Sequence, residues 1–375
     1  MCILCQGIMT FVWKFIREER LLLKSIGKVF LLVVVVFIFS IYFLYHEEEE
    51  LLLDDNSVNQ VKDSTTSLGK DSNLGYEKPT EGVSLLIGNS KEEVLKKYGK
   101  PARVDLSAYG YEWWIFNQSD ETYMQVAIED NKVVSMYVLG NDVNVAPFEI
   151  GQKVNQLYSN SEFNPETSID IQVDDNSYRF ELSEEDLGMQ PLIPLGDIYA
   201  QVIIDKFLGE VAGIRFLNAE TLIKLKPYEL VYRGELPENP EPSEEEWLKI
   251  EQGNDEQIFE ITNIVRSKFD LNKVEWDENT AKVAFLHSLD MFEGDYFAHE
   301  SPTKGDLGDR LQDGDVSFQR AGENIAAKYV DGIAAFAGWM NSKGHRDTLL
   351  SDDFTHLGVG VYREYYTQNF IKKLE

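Results

Sequence analysis

The chain reads as an α+β protein. A β-rich α+β domain of two helix–hairpin repeats comes first, and helices around a small antiparallel sheet follow. One N-terminal transmembrane helix precedes both. Three observations carry this reading. Period-2 alternation runs through "YEWWIF", "YMQVAI" and "KVVSMYVL" in the first half. From Ser243 onward apolar residues recur at helical spacing instead. Near the N-terminus, "VFLLVVVVFIFSIYFLY" from Val29 to Tyr45 is apolar without interruption.

Seventeen residues lie at the lower limit for crossing a hydrocarbon core. The preceding "LLLKSIG" lengthens the run if Lys24 and Lys28 snorkel to the interface. Residues 1–28 hold Lys14, Arg17, Arg20, Lys24 and Lys28 against Glu18 and Glu19, and "HEEEE" follows the run. The positive-inside rule then keeps residues 1–28 cytoplasmic and sends the rest outside. No small-x-small cleavage site follows, so residues 29–45 read as an uncleaved anchor. A buried core helix is the competing reading, opposed by the four consecutive valines and the asymmetric flanks. The net charge of −30 repels phosphate backbones and excludes direct nucleic-acid binding. The two cysteines, Cys2 and Cys5, fall on the cytoplasmic side, so packing and not disulfides must stabilise the external part.

Residues 46–81 are polar and acidic and read as a flexible stalk. Residues 229–246, with "RGELPENPEPSEEE", read as a stiffer linker. Between them, residues 82–228 contain "YMQVAIEDNKVVSMYVL" from Tyr123 and "YAQVIIDKFLGEVAGIRFL" from Tyr199. Both begin Y-x-Q-V-x-I, and an Ile-Gly pair opens a short helical stretch ahead of each, at Ile87 and Ile150. Convergent strand patterning is the alternative to a true repeat. In residues 247–375, "SEEE" at Ser243 marks a capping box just ahead of the domain. "EQIFEITNIVRSKF", "DENTAKVAFLHSLDMFEGD" and "DGIAAFAGWMNS" read as helices, and "FTHLGVGVYR" and "EYYTQNFIKK" as a hairpin turning at Arg363 and Glu364. Layers of this kind make an α+β sandwich.

Four of the five histidines lie in this last part: His287, His299, His345 and His356. Histidine is the side chain whose charge changes near neutral pH. They arrive with "FAHESP", "RAGENIA", "GWMNSKGHR" and "FTHLGVGVY". These ordered motifs resemble the CAP superfamily of cysteine-rich secretory, antigen 5 and pathogenesis-related proteins, in its bacterial SCP-like branch. The preceding repeat, stalk and anchor resemble bacterial proteins with a CAP-associated N-terminal domain. The resemblance implies an αβα sandwich with a cleft lined by two histidines and two acidic residues. Residue by residue it implies His299 as the first histidine, Glu323 as the first acid and His345 as the second histidine. The second acid is missing, because Met340, Asn341 and Ser342 follow Trp339.

A His–Glu–His set suggests a divalent cation such as zinc on His299 and His345, but tight H-E-x-x-H spacing is absent. Glu323 is expected to accept hydrogen bonds from its own loop and to orient a cleft histidine. Asn324, Asn341 and Arg346 are expected to support the cleft, with His356 open between rim and strand. His287 is expected to be structural, Glu300 solvent-facing, and Trp339, Tyr365, Tyr366 and Phe370 core. Ser301 and Ser342 lack a nucleophile-elbow context. The expected function is a non-enzymatic module that binds an envelope lipid, glycan or peptide. A metal-assisted or acid–base hydrolase and a structural spacer or docking protein are the alternatives.

Overall fold

The computed structural model describes residues 52–54, 56–60, 76–159, 163 and 166–374. The basic tail, the anchor run, both cysteines and most of the stalk lie outside these. Among the described residues no helix is long and apolar enough to cross a membrane.

In chain order the first part contains β1 (Leu52–Leu53), β2 (Val58–Gln60), α1 (Lys91–Tyr98), β3 (Arg103–Leu106), β4 (Glu112–Phe116), β5 (Met124–Glu129) and β6 (Lys132–Val138). It continues with α2 (Val154–Ser159), β7 (Ser168–Val173), β8 (Asn176–Glu181), α3 (Glu184–Met189), β9 (Leu192–Leu195), β10 (Ile198–Asp205), β11 (Glu210–Asn218), α4 (Ala219–Leu225) and β12 (Glu229–Arg233). The second part holds α5 (Glu244–Lys268), β13 (Glu275–Trp276), α6 (Glu278–Gly294), α7 (Leu307–Asp313), β14 (Phe318–Ala327), α8 (Gly332–Asn341), α9 (Lys343–Leu349), β15 (His356–Tyr362) and β16 (Tyr365–Lys373).

The two Y-x-Q-V-x-I segments become the β5–β6 and β10–β11 hairpins, joined through β6 and β11 in a seven-stranded sheet ordered β3-β4-β5-β6-β11-β10-β9. Each hairpin is tied to its Ile-Gly stretch by the same backbone pattern. Gly88 N donates to Val133 O, Val133 N to Asn89 O and Lys91 N to Asn131 O; Gly151 N donates to Val211 O, Val211 N to Gln152 O and Val154 N to Gly209 O. The second stretch is not followed directly by its hairpin, because β7, β8, α3 and β9 intervene.

Alternation gives this sheet two apolar faces. Trp114, Phe116, Val126 and Met136 build a core of the first part alone. Trp113, Ile115, Tyr123 and Tyr137 build a second core together with Ile258 and Ile261 of α5 and Trp339 of α8. A buried Arg215–Asp331 pair at 2.8 Å crosses the same boundary. The two parts therefore share one hydrophobic interior.

Three stretches differ from the linker-and-stalk expectation, one of them β2, whose Val58 pairs parallel with Leu230 of β12. Residues 229–233 form β12, because Leu230 packs opposite Phe180 in a four-stranded sheet ordered β2-β12-β8-β7. Residues 52–53 form β1, parallel to β14 with Leu52 opposite Ala326, and Leu52 packs on the shared core.

The capping box at Ser243 starts α5, with Ser243 N donating to Glu246 Oε2 at 2.8 Å and three glutamates in the first turn facing the positive helix end. In the five-stranded sheet β1-β14-β16-β15-β13, the closing hairpin turns between Tyr362 and Tyr365, as the sequence suggests. Leu357, Val359 and Val361 of β15 face the shared core, while Gly358 and Gly360 face α6. The result is helix, sheet, helix. The glycines let α6 lie directly on β15: a Cβ at Gly360 would fall 1.9 Å from Phe285 N, a backbone atom that cannot step aside. Gly360→Ala is therefore expected to cost about 3 kcal/mol by overpacking. Gly344→Ala, with open space around it, should be neutral or slightly stabilising. Guanidinium unfolding of both variants checks this, and equal stabilities would refute it.

Candidate functional site

Glu323 lies within strand β14 and not in a loop, opposite Asn369 of β16. Its carboxylate is buried and its partners come from other segments, not from its own backbone as the sequence suggests. Oε1 accepts from His299 Nδ1 at 2.9 Å and Oε2 from the Arg310 guanidinium at 2.6 Å. Burial pushes the Glu323 carboxyl up, but the His299 hydrogen bond and the Arg310 charge outweigh it and leave the group below its ordinary value.

Arg310 organises the loop that carries His299. A capping box at Asp306 starts α7 and places Arg310 one turn in. Its Nη1 donates to His299 O at 2.7 Å and to Gly305 O at 3.0 Å, so one guanidinium fixes both the loop and the carboxylate. Ser301 holds the same loop from the other end. Its hydroxyl donates to Asp290 Oδ2 at 2.7 Å and accepts from Thr303 N and Lys304 N.

His287 stands behind Glu323. Its Nε2 lies 3.1 Å from Ala298 O, an acceptor, so this nitrogen carries the proton; it is 3.8 Å from Glu323 Oε1. Burial pushes its pKa down to about 4 despite the attraction of Glu323.

His345 approaches from the opposite layer, on α9. Its ring centroid is 6.4 Å from that of His299, with 29° between the planes. Ser342 Oγ lies 2.7 Å from His345 Nδ1. Asn324 Nδ2 donates to His345 O at 3.1 Å, tying β14 to α9. Burial, then the neighbouring His299, pushes the His345 pKa down to about 4.

The structure thus brings His299, Glu323, His345 and Asn324 together. Asn341 and Arg346 serve a different contact. Asn341 donates to Ile204 O at 2.7 Å and accepts from Lys206 N at 2.8 Å, while Arg346 pairs with Asp205 at 2.8 Å and stacks on Phe207 and Phe269. They join the α8–α9 corner to the β10–β11 turn of the first part. His356 is not brought to the cluster: it sits two strands from β14, with Thr355 and Glu275 as neighbours. Ser301 and Ser342 are 3% and 1% exposed; Ser301 is held by Asp290 and Ser342 lies against His345. Glu300 is exposed; Trp339, Tyr366 and Phe370 are core.

Zinc takes three or four protein ligands in stable sites. Glu323 is committed to Arg310 and His299, and among the described residues no three His, Cys, Asp or Glu side chains converge in a metal-binding set. Two imidazoles alone do not fit a resident zinc ion.

Sequence reasoning passed over Arg310 and the position of His287. A lone arginine in "DLGDR" carries no signature, and its partners lie 11 and 13 residues away.

An αβα sandwich with two facing histidines about a buried glutamate, joined to a β-rich module, defines an SCP-like protein with an accessory domain. The chain belongs to the CAP, or cysteine-rich secretory protein, family: that family's description matches residues 259–372, and the CAP-associated N-terminal description matches residues 87–228. It is 47% identical over 314 residues to the "Uncharacterized membrane protein YlbC" of Bacillus subtilis strain 168, covering 84% of this chain and 89% of that one. Among solved structures it is similar to an extracellular protein containing an SCP domain from Bacillus anthracis Ames, with a TM-score of 0.74 and 46% identity over 82% of this chain and all of the other. It is also similar to a cysteine-rich secretory protein from Staphylococcus aureus Mu50, with a TM-score of 0.70 and 29% identity over 84% of this chain and all of the other.

Proposed function

We propose that the protein is a membrane-anchored, extracytoplasmic CAP-domain module that binds an envelope lipid, glycan or peptide between His299 and His345, without chemistry. The observation that carries this is the Arg310–Glu323–His299 chain: each carboxylate oxygen accepts a hydrogen bond, one from the guanidinium and one from the imidazole it orients. Such a chain supplies rigid hydrogen-bonding geometry, which favours recognition. No three-ligand metal set accompanies it among the described residues, and the two serines near the histidines, Ser301 and Ser342, are buried. Placement outside the cell rests on the Val29–Tyr45 run with its charged flanks and on the names borne by the relatives above. The matched backbone bonds at Val133 and Val211 support an internal repeat in residues 82–228. The repeat adds a second contact surface.

Thermal unfolding with a panel of envelope lipids, cell-wall fragments and peptides tests the reading. At least one class should raise the transition, and the His299→Gln, His345→Gln double variant should abolish that rise. No shift with any component sinks the reading. One observation favours a second reading. The Glu323 carboxylate fixes the proton on His299 Nδ1, as an orienting carboxylate does for a general base. Hydrolysis of an envelope peptide or polymer by metal-free protein, lost in both single histidine variants, would replace binding with that chemistry.

A further inference from the structure

An open groove of about 590 Å³ lies between α6 and α7. Its size is that of a ligand site. Lys282, Leu286, Leu289 and Glu293 line it at i, i+4, i+7 and i+11, so they form one stripe along α6. At 1.5 Å per residue that stripe is about 16 Å long. Leu286 is 49% exposed in its floor. Val283 closes the floor where α7 ends: a Cβ at Gly314 would fall 2.4 Å from Val283 Cγ2.

The rim is charged and unbalanced. Asp290, Glu293, Asp313 and Asp315 line it against two lysines, Lys282 and Lys304. The hydroxyls of Tyr296 and Ser301 donate to Asp290 and leave its charge in place. Arg310 is part of the same wall, but its charge is matched by Glu323 at 2.6 Å. Arg310 is 6% exposed, and its Nε–H has no partner among the described residues. A buried donor of this kind is satisfied by a carbonyl brought to the same wall.

We infer that this groove is a second ligand site, which lays a short cationic peptide along α6, with apolar side chains on Leu286 and Leu289 and ammonium groups against the four carboxylates. An extended tetrapeptide is about 13 Å long and fits the stripe. The three features of the wall select the class together. An apolar floor asks for hydrocarbon, an acidic rim for cations and the Arg310 Nε–H for a carbonyl, and a basic peptide carries all three. A neutral glycan gains nothing from the rim, and an anionic lipid head is repelled by it. The groove is separate from the space between His299 and His345, and either site can fail without the other.

The test uses the full chain in nanodiscs of zwitterionic lipid, with empty discs subtracted, titrated calorimetrically with three end-blocked tetrapeptides, KLLK, KSSK and ELLE. KLLK should bind, and the other two should bind more weakly by roughly tenfold or more. Asp313→Asn combined with Asp315→Asn, both exposed, should weaken KLLK by roughly tenfold. Leu286→Ser should weaken it by roughly fivefold, through the lost apolar contact. Asp174→Asn with Asp175→Asn, in the β7–β8 turn, removes the same charge elsewhere and should leave KLLK affinity as in the parent. The His299→Gln, His345→Gln variant should also bind KLLK as the parent does. Absence of KLLK binding, equal binding of KSSK or ELLE, or unchanged affinity in either groove variant overturns the inference. Equal weakening by the β7–β8 variant would reduce the binding to overall charge, and loss in the histidine variant would move it to the other site; each overturns it as well.

Discussion

Arg310→Ala is expected to lower the unfolding free energy by about 3–5 kcal/mol, the cost of stranding a buried charge. Arg310 and Glu323 have side chains only 5% and 3% exposed, so water cannot replace the lost guanidinium. The same change frees the carbonyls of His299 and Gly305 and loosens the loop that carries His299. Arg310→Lys should recover only part, since an ammonium cannot reproduce a planar fork that spans two carbonyls and a carboxylate. Arg310→Met combined with Glu323→Leu should recover most of the stability, because it removes both charges together. Guanidinium unfolding of the four proteins decides the matter. A loss below about 1 kcal/mol in Arg310→Ala would place the pair among weak surface bridges and refute the account.

Acidification should act through His287 and His345. Both fold with pKa values near 4, below the ordinary histidine value of 6.5. The unfolded chain takes up these protons through pH 6.5, while the folded chain takes them up only near 4. Between those values the unfolded state therefore holds more protons, and stability falls as pH falls. Their contribution is complete above about pH 6.5 and is lost on the way to pH 4, for a combined change of about 5 kcal/mol. Glu323, whose carboxyl lies below its ordinary value, adds a further loss only in the carboxylate range. Unfolding at pH 7, 5.5 and 4 measures the slope, and His345→Gln should remove about half of it. A slope that survives in both His287→Gln and His345→Gln would assign the acid sensitivity to other groups.

Local rules account for much of what the sequence discloses. Ser243 with Glu246 announces α5, and two alternating runs about Arg363 and Glu364 announce the closing hairpin, because capping and pleating are decided within a few residues. The "GEN" motif points to Glu323, but its strand is hidden. "RAGENIAA" has small residues where alternation would show, and β14 owes its form to pairing with β16 about 45 residues later. Arg310 is silent for a related reason: its meaning lies in a carboxylate from another element. Asn341 and Arg346 look like local props for His345, yet they answer to Ile204, Asp205 and Lys206, more than 130 residues earlier. Three residue types suggest zinc, while the geometry sets the carboxylate against Arg310 and His299.

The shared interior also bears on how the chain is made. Synthesis runs from the N-terminus, so Trp113, Ile115, Tyr123 and Tyr137 emerge well before α5 and α8, the helices that cover them. At ribosomal speeds of about 5–20 residues per second the wait for Trp339 is on the order of ten seconds or more. During that time one face of a nearly finished sheet is an open apolar surface. The growing chain must be held apart from its neighbours until its own last third arrives to cover it.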